Sequence, residues 1–218
     1  MNAAADGPVV VVLAGGPGLR FRGDGHKLAQ RFGSSTVLGS TLSQVVAAGL
    51  PLVVVTTSAL VPLAQQVVAA RDIVLVPPVD SPTREPVGVG YSIAAGVSAR
   101  AQARGWLLLP GDMPLVRPET LRAVREGLRQ SAVVYAQHQG RRGHPVGFSQ
   151  ELFTELSALS GDEGVRRLLA RYPGLGIEVD DLGLHHDIDT EATLAAAREH
   201  LAATLGLVGA SADAPPAF

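Results

Sequence analysis

Residues at widely separated places in this chain have the types and spacing suited to chemistry on phosphates. The first group is the loop in "LAGGPGLRFRGDGHKL", Leu13 to Leu28, where Ala14, Gly15, Gly16 and Gly18 leave the backbone unscreened and Arg20 and Lys27 follow with mobile positive charge. Successive N–H groups in such a loop can turn toward one anion, and the flanking cations suit a polyphosphate. A P-loop would need Gly-Lys-Ser/Thr at a fixed distance, and no window from Gly15 to Lys27 supplies it. The dinucleotide fingerprint fits no better, since it wants a third glycine opening a helix where this chain has Arg20. The loop taken alone reads equally as a glycine-rich connection with solvated charges.

The second group is "LLLPGDMPLV", Leu107 to Val116, in which an apolar run delivers Asp112 and Pro114 stops the strand. One such carboxylate, helped by phosphates and waters, is enough to hold Mg²⁺; it could also merely shape a turn. The third is "LHHDIDTEATL", Leu184 to Leu194. If extended, it presents His185, Asp187 and Asp189 on one face and His186 and Ile188 on the other, and the first face could bind a cation. A zinc site is disfavoured, because no third nitrogen or sulfur ligand adjoins the histidines in sequence.

These groups need a scaffold that brings them to one edge. Short β-branched runs alternate with helix-length amphipathic segments, the pattern of a mainly parallel sheet with helices on both faces. Strands are expected at Val9–Leu13, Leu52–Thr56, Ile73–Val76, Trp106–Leu109, Ala132–Ala136 and Gly176–Val179. Helices are expected at Thr36–Ala48, Ala59–Ala70, Tyr91–Ala103 and Pro118–Gln130, with a last one from Glu191 to Leu205 capped by Thr190. The segment "QHQGRRGHPVGFS" reads as a turn or hairpin leading into an extended stretch, followed by short helices. In such open sheets ligands collect at the carboxyl ends of the strands, where the first two groups fall.

The 218 residues fit one domain, expected over residues 8–207, between a disordered N-terminus (1–7) and a mobile tail (208–218). A net charge of -2 gives no general attraction for nucleic acid or an anionic membrane, so an anionic ligand must be held locally. The absence of cysteine excludes disulfides and thiolate metal sites. No signal peptide or membrane span is visible, and a cytoplasmic location is expected.

Taken in order, these motifs together with "GVGYSIAAGV" (Gly88 to Val97), "RRGHPVGF" (Arg141 to Phe148) and "GDEGVRRLL" (Gly161 to Leu169) resemble the nucleotidyltransferases of molybdenum-cofactor maturation. The likeness runs from about Val9 to Leu205, and its later motifs look most like the molybdopterin cytidylyltransferase branch. It implies a three-layer α/β/α fold of the nucleotide-diphospho-sugar transferase type, which is Rossmann-like, and a Mg²⁺-dependent transfer of NMP from an NTP, with release of pyrophosphate. The resemblance places Leu13, Ala14, Gly15, Gly16 and Gly18 around the nucleotide, with Gly90 and Ser92 from the second motif, and Arg20 and Lys27 on its phosphates. It assigns Mg²⁺ to Asp112, with Asp189 as first choice for the second ligand and Asp187 as second.

Arg142 and His144 would then contact a phosphorylated pterin, although with Arg141 they read equally as an exposed basic turn. Asp162 is expected to cap a helix. The cytidylyltransferase branch usually has Leu-Ala-Ala-Gly where this chain has Leu13-Ala14-Gly15-Gly16, a form closer to the guanylyltransferase branch. A missing methyl at position 15 could admit a purine, so the resemblance implies CTP as the preferred nucleotide and leaves GTP open. It also implies a molybdoenzyme as possible partner for the product.

Other readings keep part of this picture. A sugar phosphate or other small phosphate could replace the pterin on the same fold. A glycosyltransferase is suggested by Asp187-Ile188-Asp189, but its metal-binding pair would follow a central strand, where Gly111-Asp112-Met113-Pro114 sits. A nucleotide-binding regulatory module would bind nucleotide without turnover, and Lys27, Asp112 and Asp189 together weigh against it.

Overall fold

The run of valines that opens the chain pattern forms β1 (Val9–Ala14), buried along nearly its whole length as a central strand must be. The computed structural model describes residues 7–78 and 88–212. After β1 come a small antiparallel pair, β2 (Arg31–Phe32) and β3 (Ser35–Thr36), then α1 (Val37–Ala47), β4 (Leu52–Thr56), α2 (Val61–Ala64) and β5 (Ile73–Leu75). The chain continues through α3 (Val89–Ser98), β6 (Gly105–Pro110), α4 (Pro118–Gly127), β7 (Val133–His138) and β8 (Arg141–Ser149). It ends with α5 (Phe153–Ser157), α6 (Glu163–Arg171), β9 (Leu175–Glu178) and α7 (Glu191–Ala212).

The main sheet has 7 strands in the order β5-β4-β1-β6-β8-β7-β9. All of its neighbours pair in parallel except those of β8, which is antiparallel to both β6 and β7. The period of two in β1 divides its side chains between two cores. Val10 and Val12 pack in one with Leu38 and Leu42 of α1, Leu121 of α4 and Leu194 of α7; Val9 and Val11 pack in the other with Ile93 of α3, Leu156 of α5 and Leu168 of α6. This is the expected three-layer α/β/α arrangement, and it matches the nucleotide-diphospho-sugar transferase-like fold.

Differences from the sequence reading lie mostly at boundaries. The helix expected over Ala59–Ala70 is only a short turn at Ser58–Leu60 followed by α2, since the β-branched Val67 and Val68 lie where it would have to continue. The helix expected over Tyr91–Ala103 is α3, which starts and ends earlier, and α7 runs beyond Leu205 to Ala212. The hairpin is present: Gln139 (φ 51°) and Gly140 (φ 74°) both adopt left-handed backbone, the signature of a tight two-residue connection between β7 and β8. Of the disordered N-terminus expected over residues 1–7 and the mobile tail expected over 208–218, residues 1–6 and 213–218 lie outside the described residues. Among the described residues, no helix is long and apolar enough to cross a membrane.

Candidate active site

The glycine loop leaves β1 at its carboxyl end and forms one wall of a cleft of about 530 Å³. Leu13, Ala14, Gly15, Gly16, Gly18, Arg20 and Lys27 all line it, as does Ser92 from α3. Gly18 turns the chain with φ +65°, and a Cβ there would lie 3.3 Å from Lys27 Cγ, so the glycine leaves room for the lysine stem. His26 fastens the two ends of the loop. Its Nδ1 accepts from Leu28 N–H (3.1 Å), so Nε2 carries the proton and donates to the Gly16 carbonyl (3.0 Å). Sequence reasoning passed over His26; its place just before the short helical turn Lys27–Ala29, whose N-cap it is, was the available signal.

Gly15 is glycine for reasons of packing as well as access. A Cβ there would meet Val76 Cγ2 at 2.9 Å and Ser92 Oγ at 3.3 Å. Gly90 does not line the cleft: it is buried, its N–H donates to the Gly161 carbonyl (3.1 Å), and a Cβ would lie 2.4 Å from that oxygen. Its place in the cleft is taken by Gly88 and Val89 at the start of α3. Asp162 caps a helix as expected, but α3 rather than the one it directly precedes. It makes no side-chain cap on α6; its Oδ1 accepts instead from Val89 N–H at 2.7 Å, closing the open N-terminus of α3 and lining the same cleft.

Asp112 follows β6, held by its neighbours' backbones. Gly111 N–H donates to the Leu13 carbonyl (2.8 Å) and the Gly111 carbonyl accepts from Thr41 Oγ1 (2.9 Å). The Asp112 carbonyl in turn accepts from Ile188 N–H at 3.0 Å, and with Ile188 fully buried this bond fixes the neighbouring Asp187 and Asp189 beside the end of β6. The alternation expected of that segment holds for Asp187 and Asp189 against Ile188. His185, however, belongs to a helical turn over Leu182–His185, whose N-cap is the buried Asp181. Thr190 takes its expected capping role, its Oγ1 accepting from Thr193 N–H at 3.1 Å.

The charged side chains converge. Lys27 Nζ lies 2.5 Å from Asp112 Oδ2 and 2.6 Å from Asp189 Oδ1, while Arg20 Nη2 lies 2.6 Å from Asp189 Oδ2. Lys27 is 12% exposed and Arg20 78%, so the lysine is a fixed charge and the arginine a mobile one. Burial pulls the Lys27 pKa down, but Asp112 and Asp189 outweigh it and hold the ammonium above its ordinary value. Burial likewise opposes ionisation of Asp189, and there the hydrogen bond from Lys27 wins and lowers its pKa. Asp187, which lacks that partner, is raised by burial and by the adjacent Asp189.

A second cleft, of about 560 Å³, opens on the other side of this cluster. Arg142 and His144 of β8 line it, with Tyr135, Tyr172, His185 and Asp187. The Arg142 guanidinium stacks 4.1 Å from the centre of the Tyr135 ring, and the His144–Pro145 peptide bond is cis. Desolvation lowers the His144 pKa, only partly offset by Asp112 and a hydrogen bond with the Leu108 backbone, so its imidazole is held neutral. Asp112 Oδ1, His144 Nδ1 and His185 Nε2 are buried without a hydrogen-bond partner, and all three residues border this cleft. Arg20, Lys27, Pro110, Asp112 and Asp189 line both clefts.

The donor set fits a hard divalent cation. Carboxylate oxygens of Asp112 and Asp189 already converge on one positive charge, and Asp112 Oδ1 is left over. No group of three or more His, Cys, Asp or Glu among the described residues could hold a metal, so an ion here would need phosphate oxygens and waters to complete its shell.

Known proteins share the family domain and the fold. Residues 10–175 match the MobA-like NTP transferase domain. The bifunctional protein GlmU of Zymomonas mobilis is 32% identical over 120 residues, which are 54% of this chain and 26% of that protein, so the chain spans about a quarter of this relative's length. The crystal structure of Rv0371c from Mycobacterium tuberculosis superposes with a TM-score of 0.74 at 28% identity, covering 88% of this chain and 98% of that one. The same protein is also known in complex with manganese (TM-score 0.69, 26% identity, 88% and 98% covered). The molybdopterin-guanine dinucleotide biosynthesis protein A of Archaeoglobus fulgidus shares the fold at 16% identity, with a TM-score of 0.65 over 89% of this chain and 98% of that one. With a glycine-loop cleft, a second cleft and a charged cluster between them, on a sheet of matching topology, this chain belongs to the MobA-like NTP transferase family.

Proposed function

We propose that this protein transfers the nucleoside monophosphate of CTP or GTP to the phosphate of molybdopterin, with release of pyrophosphate, in the maturation of the molybdenum cofactor. The observation that carries a two-substrate transfer is the set of charged walls common to both clefts: Arg20, Lys27, Asp112 and Asp189 stand where a nucleotide on the glycine loop would meet an acceptor beside β8. The Arg142–Tyr135 stack and the unpartnered His144 Nδ1 and His185 Nε2 suit an acceptor with a planar, hydrogen-bonding body.

In this reaction an acceptor phosphate oxygen attacks the α-phosphorus. The bond from that phosphorus to the oxygen bridging the β-phosphate breaks, and pyrophosphate leaves with the electron pair. A phosphate monoester is already ionised near neutral pH, so the attacking oxygen needs no strong base. A divalent ion, Mg²⁺ or the Mn²⁺ seen with the mycobacterial relative, would be held by Asp112 and Asp189, with Asp187 close by, and would supply positive charge to the phosphate oxygens. Lys27 and Arg20 neutralise the leaving group, while the backbone of Gly15 to Gly18 orients the triphosphate.

The test is to incubate the protein with Mg²⁺, molybdopterin and each of CTP, GTP, ATP and UTP, and to measure pyrophosphate release. Release with CTP or GTP only when molybdopterin is present is the expected result, and it decides the base. Silence with all four nucleotides overturns the molybdopterin acceptor and moves the search to sugar phosphates and other small phosphates.

A further inference from the structure

The Lys27 ammonium stands at the point where a divalent ion would sit. It is in direct contact with Asp112 Oδ2 and Asp189 Oδ1 at 2.5 and 2.6 Å, and Mg²⁺ would need carboxylate oxygens at about 2.0–2.1 Å. Two cations cannot share that position, so metal and ammonium exclude each other there. The lysine is also well anchored: the turn that carries it is capped by His26, which ties it to Gly16. Arg20 occupies the remaining oxygen of Asp189.

We propose that Lys27 is a resident counter-ion that keeps the metal position closed, so that a divalent ion enters only together with a nucleotide, whose phosphates give the ammonium another anionic partner. The inference rests on Asp112 and Asp189 being the metal ligands. A bare ion would have to displace an ammonium bonded to two carboxylates and would find few protein ligands in return, since no larger ligand cluster exists among the described residues. A metal–nucleotide complex brings its own oxygens. It also gives Lys27 somewhere to go: the side chain lines both clefts, and its stem lies against Gly18, within the loop that would hold the phosphates. The site is thereby protected from binding metal idly, and charge is balanced before and after loading.

The test uses Mn²⁺ as probe, with bound and free ion separated by electron paramagnetic resonance, on the full chain without nucleotide. Wild type is expected to bind Mn²⁺ weakly, Lys27→Met at least about tenfold more tightly, and the gain is expected to vanish when Asp112→Asn is added. Thermal unfolding gives a second readout: Mn²⁺ alone leaves the wild-type midpoint in place and raises that of Lys27→Met. If Lys27→Met fails to fold without metal, Lys27→Gln, uncharged but still able to donate to a carboxylate, takes the same titration with the same expectation. Equal Mn²⁺ affinity in wild type and the lysine variants, still abolished by Asp112→Asn, overturns the counter-ion role and leaves the metal ligands standing. No Asp112-dependent Mn²⁺ binding in any variant, with or without nucleotide, overturns both.

Discussion

At the scale of single residues, Asp112 carries the most exposed commitment. Asp112→Asn is expected to abolish Mg²⁺-dependent turnover while the far-ultraviolet spectrum and unfolding midpoint stay close to wild type; near-normal turnover would remove it from the metal site. Lys27→Ala should slow transfer by roughly two to three orders of magnitude, the loss typical of one transition-state donor, measured under saturating metal and nucleotide. His144 makes a statement about pH. Its folded-state pKa is depressed by desolvation, whereas in the unfolded chain it takes up a proton near pH 6.5 or so. Below that value the unfolded state binds more protons than the folded one. The contribution is therefore fully present above about pH 6.5 and is lost as pH falls toward the folded pKa. Unfolding midpoints measured from about pH 7.5 down to about pH 5 should fall less steeply in His144→Gln than in wild type; parallel curves would show that the histidine is not held neutral. Residues whose type announces their chemistry, such as Lys27, Asp112 and Asp189, could be picked from sequence. The partners of Asp162, His26 and Gly90 could not, because each works through a backbone atom elsewhere in the chain: Val89, Gly16 and Gly161 respectively.

At the scale of elements, the site depends on how its loops are pinned. The buried Asp181 accepts from Arg117 N–H (2.8 Å), Thr120 Oγ1 (2.5 Å) and Gly183 N–H (2.9 Å), tying the start of α4 to the turn that leads into Asp187 and Asp189. Removing it orphans three donors. Asp181→Ala should cost about 3 kcal/mol of stability by denaturant unfolding and lower turnover as well, since the acidic segment loses its anchor; an unchanged midpoint would show the clamp to be idle. The strands and most helices were legible because their apolar periodicity is strong. Their ends were not, since α2 and α3 run out into local turns whose backbone bonds reach only three or four residues back. The extended backbone expected at His185 is replaced by a turn, because the Asp181 side chain captures Gly183 N–H and curls the residues after it, yet His185, Asp187 and Asp189 still border one cleft.

At the scale of the whole molecule, parallel strands deliver the glycine-loop cleft from the carboxyl ends of β1 and β6, as the alternating pattern implied. A ligand spanning that edge couples the glycine loop, the β6 turn and the segment before α7, so binding should stabilise the entire fold. A nucleotide with Mg²⁺ at about a hundred times its dissociation constant is expected to add about 2.7 kcal/mol, read as a rise in the unfolding midpoint; no shift would count against nucleotide binding itself.

The second cleft, proposed above for the acceptor, is built differently. β8 runs against its neighbours, and its pairing with β6 ends at Leu108↔Val146, so Arg142 and His144 come from the strand's beginning, where Arg142 pairs with Gln137 of β7 and the turn over Leu182–His185 packs alongside. A search restricted to residues that follow strands would miss them. The two clefts are therefore built from separate parts of the sheet. Changing the hairpin tip at Gln139–Gly140 is expected to alter the second cleft while leaving the Trp106↔Phe148 pairing and the glycine loop untouched. A scaffold with that division of labour can exchange one substrate for another over evolutionary time without relearning how to hold a nucleotide.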